Sequence, residues 1–118
     1  MSLKLATAIL VVLTAFGALA PGARAEAPSL GANIWTPQGL SFNDCMQRAT
    51  GALRQLGSNP NQQTLFQGMG YVYGPIGDYN AMVMCVIHKG TVAFVVAGQD
   101  FATANNYVSQ INKIMERR

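Results

Sequence analysis

NAMVMCVIHKGTVAFVVAG, Asn80 to Gly98, is the stretch on which the fold turns. Two runs of apolar and β-branched residues flank His88-Lys89-Gly90, the pattern of a β-hairpin. An antiparallel hairpin in water ordinarily alternates apolar and polar residues, because one face is buried and the other is wet. Here both faces are apolar, so the sheet that contains this hairpin must be covered on both sides. A three-residue loop with Gly90 in the left-handed region would pair Ile87 with Thr91. Cys85 then opposes Ala93, Val83 opposes Val95 and Ala81 opposes Ala97 on a face of small groups. Val86 against Val92, Met84 against Phe94 and Met82 against Val96 make the opposite, bulkier face.

Working outward, Ser41-Phe42-Asn43-Asp44 is a capping box. Phe42, Cys45, Met46, Ala49, Leu53 and Leu56 follow it at helical spacing as far as Gly57. Ser58 to Gln63 reads as a polar loop, Leu65 to Tyr73 as a strand interrupted by Gly68 and Gly70, and Gly74 to Asp78 as a turn. Beyond the hairpin, Asp100 suits the N-cap of a last helix with Phe101, Ala104, Tyr107, Val108, Ile111, Ile114 and Met115 on its apolar side. The expected fold is α+β: a helix, a three-stranded antiparallel meander and a helix, with both helices on one face of the sheet. Residues 41–118 form that single small domain. Residues 26–40, with Pro28, Gly31, Pro37 and Gly39 around Leu30, Ile34 and Trp35, read as an extended N-terminal arm.

Residues 1–25 read as a secretory signal peptide. Lys4 is followed by an apolar run from Leu5 to Ala20 and by the small-residue pattern Ala23-Arg24-Ala25. The run falls short of the roughly 20 residues that span a bilayer, so cleavage after Ala25 and no stable membrane anchor are expected, with a periplasmic or secreted product. Cleavage also removes Lys4 and Arg24. Six basic residues then face five acidic ones, a net charge of +1, and apart from Arg117 and Arg118 the basic residues are scattered. That pattern excludes the electrostatic footprint of a nucleic-acid binder.

The two cysteines, Cys45 and Cys85, would pair in an oxidising compartment, the alternative being two separately buried thiols. If they pair, the small face looks toward the helices. Met82, Met84, Val86, Val92, Phe94 and Val96 then point outward as a contiguous apolar patch, which marks an interaction site. The arm, a second copy of the chain or a different partner would cover it. Without the cystine, the assignment of faces reverses.

Chemistry beyond this is sparse. Met82, Met84 and His88 are soft-metal ligand types on one side of a strand, which makes a small metal (copper-type) or ligand carrier in the cell envelope the alternative reading. Asp44, Asp78, Asp100 and Ser41 all have local capping or turn roles, and a single His leaves a hydrolase triad without its usual base. Gly68 to Gly74 lacks the GK[ST] ending of a phosphate loop. No cofactor motif is present. The sequence therefore points to an exported, non-enzymatic module that binds itself or a protein partner through an apolar sheet face.

Overall fold

The computed structural model describes residues 28–117. The expected signal peptide lies outside the described residues. Five strands form one antiparallel sheet: β1 (Ser29–Trp35), β2 (Asn61–Phe66), β3 (Met69–Ile76), β4 (Tyr79–Val86) and β5 (Thr91–Gly98). Their order across the sheet is β1-β5-β4-β3-β2, so β4 is the central strand. Helix α1 (Phe42–Gln55) follows β1, and helix α2 (Phe101–Glu116) ends the chain.

The meander β3-β4-β5 is present as expected, but β3 runs on through Gly74, Pro75 and Ile76, where a turn is expected, so that only Gly77 and Asp78 turn; the meander is flanked by two further strands. The arm is extended but does not lie across the sheet; its residues Ser29–Trp35 pair with β5, from Ser29 opposite Gly98 to Trp35 opposite Val92. The expected strand over Leu65 to Tyr73 is two strands, divided by Gln67 and Gly68. Asn61 to Gln63, expected to be loop, starts β2. A polar strand survives there because Gln62 donates to Thr50 Oγ1 of α1 at 2.6 Å, and Thr50 in turn donates to the Met46 carbonyl at 2.9 Å. Leu65 is the extra residue of a bulge between Thr64 and Phe66.

Both helices begin as the sequence predicts. Ser41 Oγ accepts from the Asp44 N–H at 3.0 Å, and Asp100 Oδ2 accepts from the Thr103 N–H at 2.9 Å and from its hydroxyl at 2.6 Å. The apolar stripes of the two helices lie on one face of the sheet. Gly31 faces Ala104 and Asn105 of α2 so closely that an added Cβ would stand 2.8 Å from their backbone. Arg48 Nη1 of α1 donates to the Met115 carbonyl at 2.8 Å and ties the helices together.

Cys45 and Cys85 form a disulfide with Cα atoms 6.2 Å apart, and both are fully buried. Closing a loop of 40 residues stabilises a fold by about 4 kcal/mol through loop-closure entropy.

The register of the β4–β5 hairpin corrects the expected faces. Gly90 has the expected left-handed backbone, at φ 67°, but the loop has four residues, because Ile87–Lys89 turn as a 3-10 helix. The Ile87 N–H bonds the Gly68 carbonyl at 2.9 Å, and the Gly90 N–H bonds the Ile87 carbonyl at 2.8 Å. Val86 therefore pairs with Thr91, Cys85 with Val92, Val83 with Phe94 and Ala81 with Val96. A slip of one residue turns every β5 side chain over. Val92, Phe94 and Val96, expected outside, are fully buried under the helices. Only Met82, Met84 and Val86 of the expected patch lie on the other face. The physical reason is volume: this register gives the core a Phe and two Val side chains, where the three-residue loop would have given it Ala93, Val95 and Ala97.

Candidate functional site

The face turned away from the helices is built from alternate residues of all five strands. Register places four rows across it. The first is Leu30, Ala97, Asn80 and Pro75. The second is Ala32, Val95, Met82, Tyr73 and Asn61, and the third is Ile34, Ala93, Met84, Tyr71 and Gln63. The fourth is Thr91, Val86, Met69 and Phe66. Leu30, Ile34 and Phe66 are 58%, 64% and 56% exposed, Asn80 is exposed, and the other β4 and β5 members are half-buried by their own neighbours.

None of the five strands contains a charged residue. Every charged residue among those described lies in a helix, a cap or a turn. The polar groups on the face are the amides of Asn61, Gln63 and Asn80, the Thr91 hydroxyl and two phenols. Tyr71 donates to Gln63 Oε1 at 3.3 Å, and its ring lies 5.4 Å from that of Tyr73. A shallow depression of about 470 Å³ lies on this face beside Tyr73, Met82, Val95 and Ala97.

Relief across the face is uneven. On β3 the face carries the large side chains Met69, Tyr71 and Tyr73, whereas on β5 it carries the small ones Thr91, Ala93 and Ala97, with Val95 intermediate in size. Strand β4 divides the two halves.

The residues read as soft-metal ligands are separated by this arrangement. Met82 and Met84 lie within the sheet face. His88 lies in the 3-10 turn, its ring 6.0 Å from that of Phe66. Among the described residues no three His, Cys, Asp or Glu side chains gather into a metal-binding group. Asp44, Asp78 and Asp100 occupy the cap and turn positions expected of them. Asp100 is the group with a displaced carboxyl: the Thr103 hydroxyl and then the Thr103 N–H hold it below the usual aspartate value. Gly68 has a left-handed backbone, at φ 80°, in the β2–β3 turn, whereas Gly70 and Gly74 serve close packing. A Cβ at Gly70 would meet the Phe42 ring at 2.9 Å, and one at Gly74 would meet Pro60 Cα at 3.0 Å.

The chain matches no protein-family model, no curated protein and no solved structure. Among the described residues, no helix is long and apolar enough to cross a membrane.

The expected six-residue patch leaves out the contributions of β1, β2 and β3, which supply Leu30, Ala32, Ile34, Tyr71, Tyr73 and Phe66. A signal for them was present: from Asn61 to Ala97 the only charges are Asp78 and Lys89, both at turns, and the same neutrality marks residues 29–35.

Proposed function

We propose that this chain is an exported, non-enzymatic binding module that works through the open face of its sheet, docking on a protein surface of the same apolar, uncharged character. One observation carries the reading: four rows of side chains spanning five strands without a charge. Monomeric soluble proteins rarely expose contiguous apolar patches beyond a few hundred Å², and larger ones mark interaction sites. The buried cystine between α1 and the central strand is compatible with the oxidising compartment that export would provide. Such a module needs a rigid platform rather than a reactive group, and the cystine, two capped helices and a glycine-fitted sheet supply one.

Methionine oxidation tests the reading with internal controls. Met69, Met82 and Met84 are on the open face, whereas Met46 and Met115 are in the core. Thioether oxidation by peroxide follows exposure. In the unfractionated extract of the compartment that holds the protein and its partner, the three face methionines should oxidise slowly, and Val95→Lys should speed them while leaving Met46 and Met115 protected. Equal rates for the face methionines in both proteins would show that nothing docks there.

A further inference from the structure

We infer that the occupant of the open face is a second copy of this chain, stacked sheet on sheet about a two-fold axis that runs along β4. This rests on the reading of the face as a docking surface and adds the identity of the partner.

Three observations carry it. The first is area. Strands about 4.8 Å apart and about seven residues long at about 3.3 Å per residue make a sheet of roughly 24 by 23 Å. Two such faces bury about 1,100 Å² before side-chain relief is counted, at the threshold a specific interface needs. The second is charge. A neutral face brings no like-charge repulsion onto its own copy and offers no opposite sign to select a charged stranger.

The third is shape. Because β4 is the middle of five strands, a two-fold axis along it lays one whole sheet over the other and keeps each row in place, as an isologous interface requires. The small side chains of each copy's β5 then meet the large ones of the other's β3. Ala93 faces Tyr71 of the second copy, Val95 faces Tyr73, and Ala97 faces Pro75. Met84 and Met82 meet their own counterparts on the axis, where unbranched thioethers adapt to the remaining space. An in-plane axis perpendicular to the strands would instead stack Tyr on Tyr and Ala on Ala, leaving a bulge beside a gap. On the dried face the Tyr71 phenol keeps Gln63, and the Thr91 hydroxyl keeps the Lys89 carbonyl, as hydrogen-bond partners.

The test is the solution mass of the full chain, produced through an export pathway so that Cys45–Cys85 closes, measured by sedimentation equilibrium at tens of micromolar. The expected mass is twice that of the chain. Val95→Lys and Ala93→Glu should each halve it while leaving the circular dichroism of the wild type, because both side chains point away from the core. Mixing Ala93→Glu with Tyr71→Lys should restore the double mass, because the axis along β4 sets those positions against each other. A wild-type protein of single mass whose face binds an apolar dye would overturn the second copy and leave the docking face to another protein or an apolar ligand. A double mass that persists in both Val95→Lys and Ala93→Glu would likewise overturn the second copy as occupant of this face, and a wild-type protein of single mass whose face binds no apolar dye would overturn the docking face itself. Failure of the mixture to re-associate would overturn the axis.

Discussion

Phe94 and Val95 are neighbours in the chain with opposite fates. Phe94 is fully buried beneath the two helices, and Val95 lies on the open face beside Met82 and Ala32. Deleting the Phe94 ring leaves a cavity that the surrounding cystine and paired strands cannot collapse. Phe94→Ala should therefore cost about 3–5 kcal/mol of stability in urea unfolding, and a loss below about 1 kcal/mol would place Phe94 outside the core. Gly31 is a second decisive residue. It lies in an edge strand, where backbone freedom matters little, but α2 passes directly over it. Gly31→Ala would push a methyl group against backbone atoms that cannot move independently. Overpacking of this kind costs about 1–3 kcal/mol. A thermal midpoint equal to that of the wild type would mean that α2 does not rest on β1.

At the scale of elements, the start of α2 carries a pH dependence whose sign is fixed. Asp100 is held below its usual value by Thr103, so its carboxylate is favoured in the folded state. A group with a lowered folded value contributes stability that is complete above its unfolded value, near 3.9 for aspartate, and is lost as the pH falls through the folded value. Asp100→Asn keeps a neutral cap and removes this dependence. The gap in urea midpoint between wild type and Asp100→Asn should therefore be constant near neutrality and shrink as the pH falls below about 4. Parallel curves down to pH 2 would show that the Thr103 hydrogen bonds do not favour the charged form. The hairpin loop is the other element with an outsized effect. One extra residue in the turn, Ile87, decides which side of β5 is core, and its N–H is held by Gly68 from the neighbouring β2–β3 turn.

For the whole molecule, the Cys45–Cys85 bond joins the first helix to the central strand across 40 residues. Replacing both cysteines with alanine should lower the unfolding free energy by about 4 kcal/mol, a large share of what a domain of this size possesses. Reductant should reproduce much of that loss in the wild type and leave the double variant unchanged. An unaltered denaturation curve for the double variant would mean that the helices and sheet hold each other without the bond.

The helices, their caps at Ser41 and Asp100 and the left-handed Gly90 were determined by the sequence alone, because each rests on interactions between residues close in the chain, whereas the Cys45–Cys85 bond, one of two readings of the sequence, was decided by the packing of α1 on β4. The α+β class followed from the same local patterns. The sheet's two outer strands and the register of β5 were decided only in three dimensions. Asn61 to Gln63 is a strand because Thr50 of α1 receives Gln62, and the arm is a strand because β5 has a free edge. Val92, Phe94 and Val96 point inward because the packed core favours volume over the commonest loop length. A one-residue slip leaves local propensity unchanged and exchanges the two faces of a strand, so what lies outside, and with it the docking face, belongs to the tertiary structure.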